Sequence, residues 1–215
     1  MPLYKSFNPR EETQVYIWEI TESYNDLFRA VSLKDKSLTR LEHMKSTLHQ
    51  CGFLSVRCLL QVAGYTDFDL IYSEDGKPHL TDGNFISISH SFGFSAIIIS
   101  NLPVGIDLEL QRDLIKKLGP KFCVSEYEFL NLNSEDYVRQ LTVIWGVKEA
   151  VFKIVNLEGI SFKNHIFVNN FQIDASETTA RLDFGMIQKT FDVYFMEVEQ
   201  YTLVYLFESQ TTLQQ

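Results

Sequence analysis

The sequence predicts an α+β protein built as two lobes. Three observations carry that expectation. The chain has 215 residues, 45% hydrophobic and 22% charged, which suits one large domain or two lobes of roughly 100 residues each. Stretches of period-two alternation are interleaved with stretches of helical period. Each half runs loosely from helices to strands, and the punctuation Asn101-Leu102-Pro103 falls between the halves. The boundary is therefore set at 1–102 and 103–215, although no residue-level repeat is visible.

In the first lobe, Gln14 to Ile20 alternates apolar and polar residues and reads as a strand. Ser23 to Val31 reads as a short helix. Lys34 to Val62 is helical in period, with a break expected near Gly52. Phe68 to Tyr72 reads as a short strand, and Glu74 to Pro78 as a turn in which proline fixes φ. Phe85 to Ser89 and Phe94 to Ser100 read as two strands joined around Ser91 to Gly93. Val104 to Leu110 is a further strand and opens the second lobe. There, helical pattern covers Asp113 to Leu118, Ser125 to Leu130 and Ser134 to Val155. Strands are expected at Ile166 to Ile173, Ala180 to Phe184, Phe191 to Val198 and Leu203 to Phe207.

Composition narrows the function classes. A formal net charge of −9 and a pI near 5.0 argue against nucleic acid as a partner, because phosphate binding needs a basic face. Three cysteines without a C-x-x-C pair argue against a disulfide framework or a zinc site, and suit a cytoplasmic protein. Met1 to Glu12 holds no apolar run, so no signal peptide is expected. The uncharged stretch Gly83 to Ile106 is long enough for a membrane span. Its Asn, His, Pro and Ser content and its alternation read instead as strands of a protein outside the membrane.

Four constellations bear chemistry. In Gly105-Ile106-Asp107-Leu108-Glu109 the two carboxylates share one strand face, about 7 Å apart along the strand. Side by side on an apolar strand they ask for a positive charge, and a hard divalent cation such as Mg²⁺ or Mn²⁺ suits them. A solvated acidic edge is the competing reading. In Trp145 to Lys153, Ile144, Val147, Val151, Ile154 and Val155 form the apolar stripe of a helix. Glu149 and Lys153 lie one turn apart, off that stripe, with Trp145 and Phe152 flanking them. This arrangement fits a metal ligand or general base with a phosphate clamp or proton donor. It also fits a surface pair worth only a few tenths of a kcal/mol. Ser87-Ile88-Ser89-His90-Ser91, at a strand end, offers hydroxyls and an imidazole to a phosphate. A catalytic dyad there is the weaker reading, since no nearby carboxylate orients His90. Gly76-Lys77-Pro78 presents a lysine rigidly to an anion or is a plain turn. Beyond these, Gln111 to Val124 holds Arg112, Lys116, Lys117 and Lys121 against Asp113 only, interleaved with apolar residues. That suits an acidic, partly apolar partner, or an ordinary solvated helix.

The order of these motifs is more specific than any one of them. G-K-P-x-L, I-S-H-S, V-G-I-D-L-E, F-x-x-x-E from Phe122 to Glu126 and W-x-x-K-E-A-x-x-K together resemble the 4′-phosphopantetheinyl transferase superfamily. Length and two lobes resemble its long, surfactin-synthetase-activating class. The resemblance implies two pseudo-symmetric lobes, each a small, mainly antiparallel sheet packed with helices, with coenzyme A in the cleft between them. It implies transfer of the 4′-phosphopantetheine group to a serine of an apo acyl or peptidyl carrier protein, releasing 3′,5′-ADP. Mg²⁺ (or Mn²⁺) would sit on Asp107, Glu109 and Glu149, with Glu149 as base and Lys153 assisting the leaving group. Lys45, Arg57, Lys77, Ser89, His90 and Lys153 would bind the coenzyme. The basic segment after Glu109 would meet the carrier, in fatty-acid, polyketide or nonribosomal-peptide biosynthesis. A monomer is expected, because two internal lobes remove the need for a trimer. One departure stands out: Leu48 occupies a position where the family often carries arginine, with Lys45 and His49 close by. Two other readings remain open. One is a non-catalytic relative that binds coenzyme A or a carrier. The other is a metal-dependent phosphodiesterase or nuclease.

Overall fold

The computed structural model describes residues 3–210. The chain divides into two compact units, 1–102 and 103–215.

The first unit opens with an antiparallel pair, β1 (Leu3–Arg10) and β2 (Thr13–Glu19). Three helices follow: α1 (Tyr24–Ala30), α2 (Asp35–Glu42) and α3 (Thr47–Val62). Ser23 caps α1, its hydroxyl accepting from the Asp26 amide at 3.3 Å. The helical break lies between α2 and α3 rather than at Gly52. Gln50 explains it, since its Nε2 donates to the carbonyls of Leu41 (3.4 Å) and Met44 (3.1 Å) as the chain leaves α2. Then come β3 (Leu70–Tyr72), β4 (Pro78–Leu80), β5 (Phe85–Ser91) and β6 (Phe94–Ser100). They complete a six-stranded sheet of order β1-β2-β6-β5-β4-β3, antiparallel at each recorded pairing. Strand β1 carries no clear alternation and β4 is only 3 residues long, and the sequence reading missed both. One core of this unit joins Leu54, Leu59 and Leu60 of α3 to Leu70, Ile86 and Ile97. Burying each of these side chains is worth roughly 1.5–3 kcal/mol.

The second unit begins with β7 (Val104–Leu110), followed by α4 (Leu114–Phe122), a 3₁₀ turn at Ser125–Glu128 and the long helix α5 (Tyr137–Val155). Asn156, in the left-handed region at φ 46°, ends α5. A short helix α6 (Phe162–His165) leads into β8 (Ile166–Val168), then β9 (Glu177–Phe184), β10 (Ile187–Val198) and β11 (Tyr201–Glu208). The sheet is five-stranded and antiparallel, ordered β7-β11-β10-β9-β8. Strand β8 stops well short of the expected Ile173. Asn169 turns its amide onto the Thr179 hydroxyl (2.7 Å), and a 3₁₀ turn follows at Ile173–Ala175.

Helix α5 lies on β7 and β11 at a distance only glycine permits. A Cβ on Gly105 would stand 2.2 Å from the carbonyl oxygen of Ala150, and one on Gly146 would stand 2.8 Å from Val204. The stripe Ile144, Val147, Val151 and Ile154 packs with Leu182, Phe191, Val193, Val204 and Leu206. None of the described helices is long and apolar enough to cross a membrane. The uncharged stretch Gly83 to Ile106 instead supplies β5, β6 and the start of β7.

Candidate functional site

In the second unit, β7 and α5 bring a carboxylate group together. The face of β7 that carries Asp107 is the one α5 covers. Gly105 meets Ala150, and Asp107 Oδ2 lies 3.5 Å from where a Gly146 Cβ would stand. Asp107 is 4% exposed, so the solvated-edge reading of this strand fails at that position. Lys153 reaches across from α5. Its Nζ donates to Asp107 Oδ1 and to the Ile106 carbonyl, both at 2.8 Å. The competing reading of Glu149 and Lys153 as a surface pair gives way to an ion pair from Lys153 to the strand.

Glu149, half-buried on α5, completes the group. Burial pushes its carboxyl up to about 7, the charge of Asp107 adds to the rise, Lys153 opposes it, and Glu109 raises it further. A carboxyl poised near neutrality is matched to accepting a proton at physiological pH. The oxygen donors of Asp107, Glu109 and Glu149 fit a hard cation in kind, and their mutual repulsion favours one. Among the described residues, however, no three His, Cys, Asp or Glu side chains gather around a point a metal could occupy. Lys153 brings a positive charge to this group.

The aromatic residues expected to fence the site do something else. Trp145 meets Phe122 (5.2 Å between centroids) and Phe162 (5.6 Å), and Phe152 also meets Phe162 (5.8 Å). They fasten α5 to α4 and α6. Trp145 also lines a recess of about 180 Å³ with Glu109, Arg112, Leu114 and Leu118. The basic segment therefore begins beside Glu109. Within it, Lys116 pairs with Asp113 at 2.7 Å on the surface.

The sequence reading passed over Lys148, which the structure makes the anchor of α5. Lys148 and Glu126 are both fully buried and paired at 2.6 Å. Lys148 Nζ also donates to the carbonyls of Phe122 (2.7 Å), Phe162 (3.0 Å) and Ile166 (2.6 Å). Glu126 in turn accepts from the amides of Val124 (3.0 Å) and Val168 (3.1 Å). Burial pushes the Lys148 ammonium below its usual value, and Glu126 counters it. The signal was present: Lys148 follows Ile144 by four residues and so falls on the apolar stripe. A lysine there must have a buried partner.

In the first unit the residues expected to bind phosphate have different surroundings. Arg57 is internal. It is 3% exposed, its Nε donates to Asp67 Oδ1 at 3.0 Å and its Nη1 to the Phe53 carbonyl at 3.1 Å. The guanidinium stands 3.4 Å from the centre of the Phe53 ring. Asp67 spends its other oxygen on the Lys34 amide at 3.0 Å. Arg57 is thus committed to holding α3 to the segment before β3, since a buried arginine keeps its counter-charge.

Ser89 and His90, successive on β5, project to opposite faces of the sheet. His90 lies on the α3 side. Its ring would stand 3.3 Å from a Cβ on Gly52, so that glycine is what lets the imidazole lie against the helix. Its cross-strand partner Ser95 bonds Ser55 of α3 at 2.9 Å. Ser89, 8% exposed, faces the other way. Lys77 is half-buried in a closed turn where its amide donates to Ser73 Oγ (3.1 Å) and its carbonyl accepts the Ser73 amide (3.0 Å). Lys45 is exposed in the link between α2 and α3.

Known proteins share this pattern. Residues 103–205, which span β7 through most of β11, match the family model described as the 4′-phosphopantetheinyl transferase superfamily. Over 152 residues the chain is 29% identical to the 4′-phosphopantetheinyl transferase gsp of Aneurinibacillus migulanus, covering 67% of this chain and 62% of that protein. The matched portion therefore spans less than two thirds of that relative's length. The acidic strand, Lys153 and the helix that Lys148 anchors all fall inside the family match, and the α+β arrangement of two antiparallel sheets agrees with it: the second unit, from β7 into β11, is similar to the 4′-phosphopantetheinyl transferase superfamily.

Proposed function

We propose that this chain transfers the 4′-phosphopantetheine group of coenzyme A to a serine of an apo acyl or peptidyl carrier protein. The observation that carries the proposal is the half-buried Glu149 carboxyl, held near neutrality beside Asp107 and Lys153. The serine hydroxyl attacks the β-phosphorus of coenzyme A. An O–P bond to serine forms, and the bond from that phosphorus to the bridging oxygen breaks. Glu149 takes the hydroxyl proton. Lys153, which already donates to Asp107, supplies positive charge toward the departing 3′,5′-ADP. Lys77, Ser89 and His90 hold the nucleotide phosphates, with Lys45 as an exposed outer contact. Arg57 serves the fold instead. Phosphoryl transfer asks a protein mainly for positioning and charge stabilisation, and these side chains offer both.

Asp107, Glu109 and Glu149 would hold Mg²⁺, or Mn²⁺ in its place. Bound there, the ion would neutralise charge on the diphosphate. The recess beside Glu109 and the basic segment that follows it would receive the acidic carrier. The chain would act as a monomer in the cytoplasm.

The test is to mix the protein with coenzyme A, Mg²⁺ and a panel of apo carrier proteins and to read intact carrier mass. A phosphopantetheine adduct that disappears with EDTA and with Asp107→Ala supports the reading. Measurable coenzyme A binding with no adduct on any carrier replaces it with a non-catalytic binder.

A further inference from the structure

Arginine keeps its charge at physiological pH and offers five N–H donors in a planar fork, so in an acidic chain it is expected to meet a carboxylate. Arg57 meets Asp67, Arg139 meets Asp136 and Glu197, and Arg181 meets Asp183. Arg40, exposed on α2, does not. Its guanidinium lies 5.4 Å from the centre of the Tyr72 ring and 5.6 Å from that of Phe53. Among the described residues its side chain forms no ion pair and no hydrogen bond. Ring contact holds a cation in place without using its N–H donors. Arg40 is thus a positioned cation whose fork is open to an anion, and a planar fork suits a phosphate.

The two rings say where that fork stands. Tyr72 pairs across the β3–β4 ladder with Pro78, the residue after Lys77. Phe53 follows Gly52, where an added Cβ would stand 3.3 Å from the His90 ring. Tyr72 and Phe53 both pack in the core on the α3 side of the sheet. Ile86 and Ile88 of β5 join the same core, and His90 continues their alternation on that side. Arg40 therefore lies one ring away from the residue paired beside Lys77, and one ring away from the helix turn that His90 lies against. Lys77 and His90 come from separate segments, and the contacts of Arg40 reach toward both. This places a phosphate, whichever way the rest of a ligand runs.

We infer that Arg40 is a phosphate-binding residue of the coenzyme A site, its ring-held guanidinium meeting one phosphate of the coenzyme alongside Lys77 and His90. The inference rests on the coenzyme A reading above and adds a residue to it. The experiment is titration calorimetry with Mg²⁺ present on wild type, Arg40→Gln, Arg40→Lys and Arg29→Gln, with thermal unfolding of each protein. Arg29, an exposed arginine of α1, controls for loss of charge alone. Arg40→Gln should bind coenzyme A about tenfold more weakly, the scale of a charge-assisted hydrogen bond. Arg40→Lys keeps a cation for the rings but loses the fork, and should recover only part of that affinity at a melting temperature close to wild type. Arg29→Gln should bind as wild type does. Dephospho-coenzyme A, which lacks the 3′-phosphate, identifies the contact: a loss seen with coenzyme A alone assigns the 3′-phosphate, and an equal loss with both ligands assigns the diphosphate. Unchanged coenzyme A affinity in Arg40→Gln, or the same loss in Arg29→Gln, overturns the inference and leaves the coenzyme A reading intact. A wild type that binds neither ligand overturns both.

Discussion

Helix α5 carries two lysine–carboxylate pairs little more than one turn apart, and their surroundings differ completely. Lys148 and Glu126 are both 0% exposed, and their remaining hydrogen-bonding capacity goes to backbone groups on four other segments. Lys153 is 26% exposed and Asp107 5% exposed, and two more carboxylates stand close enough to act on the same electrostatics. The first pair is closed: charge and hydrogen bonds balance, and nothing is left for a ligand. The second is open: Lys153 pairs with Asp107 beside the Glu149 carboxyl, and Lys153 is partly exposed to solvent. A buried ion pair contributes little net stability over an apolar replacement, but losing one partner is expensive. A partly exposed group with a perturbed carboxyl is suited to chemistry.

The sharpest way to break this comparison is to neutralise one residue of each group. Glu149→Gln keeps the shape of the open group and removes the proposed proton acceptor. Carrier modification should fall by about 10²–10⁴, the usual contribution of a general base. Its melting temperature at pH 8 should not fall, because a carboxylate crowded by like charges has been removed. Full activity in Glu149→Gln would remove Glu149 from the base role. Lys148→Met acts on the closed group. It leaves Glu126 buried without its counter-charge and should cost about 3–5 kcal/mol of unfolding free energy, read by urea titration. Loss of activity there should track loss of folded protein, with no separate effect on turnover. A Lys148→Met protein of wild-type stability would refute the anchoring role.

The close approach that makes both groups possible gives a third test. In Gly105→Ala the new methyl meets the Ala150 carbonyl at 2.2 Å, so α5 must move off β7. Overpacking of this kind costs about 1–3 kcal/mol. The shift should also lengthen the Lys153–Asp107 contact, so activity should fall in the fraction that stays folded. An unchanged melting temperature would mean that the helix is not pinned there.

The titration of Glu149 separates the groups by pH. Its folded value of about 7 lies above the ordinary 4.5, so the folded chain binds a proton that the unfolded chain has already released between those values. Stability from this group is therefore present at low pH and is lost as pH rises from about 4.5 to 7, by about 1–3 kcal/mol after allowing for partial exposure. Glu149→Gln should flatten that slope. Added Mg²⁺, favouring the ionised carboxylates, should raise the melting temperature more at pH 8 than at pH 5. An identical pH–stability curve in wild type and variant would contradict the raised carboxyl.

How much of this was legible in the sequence depends on how local the signal was. Strand β7 was readable end to end, because Val104 to Leu110 alternates without interruption and both carboxylates fall on one face. The burial of Asp107 was not readable: it depends on α5 lying against Gly105, a contact between segments some forty residues apart. The partner of Lys153 was not readable for the same reason. Helical spacing offered Glu149, and tertiary structure supplied Asp107. Arg57 and Lys148 teach the converse. Each sits within a run of buried positions on its helix and is paired internally there, although the sequence reading placed Arg57 at the coenzyme and passed over Lys148. Neither Asp67 nor Glu126 could be named as the partner without the fold.

The smallest expected effect lies in the first unit and asks whether its glycine serves the ligand or only the helix. Gly52 is an interior residue of α3, where alanine is intrinsically better by about 0.5–1 kcal/mol. The Cβ of Gly52→Ala, however, would stand 3.3 Å from two atoms of the His90 ring, close enough that the ring must give way by a few tenths of an ångström. The two effects oppose each other in stability and should nearly cancel. They do not cancel in binding, because displacing the imidazole moves only the proposed phosphate contact. Gly52→Ala should therefore bind 3′,5′-ADP a few-fold more weakly with little change in melting temperature. The His90→Gln, Gly52→Ala double variant should bind no worse than His90→Gln alone. An additive loss in the double variant would mean that Gly52 acts on α3 itself, and that the first unit, like the Lys148 pair, uses this position for the fold rather than for the ligand.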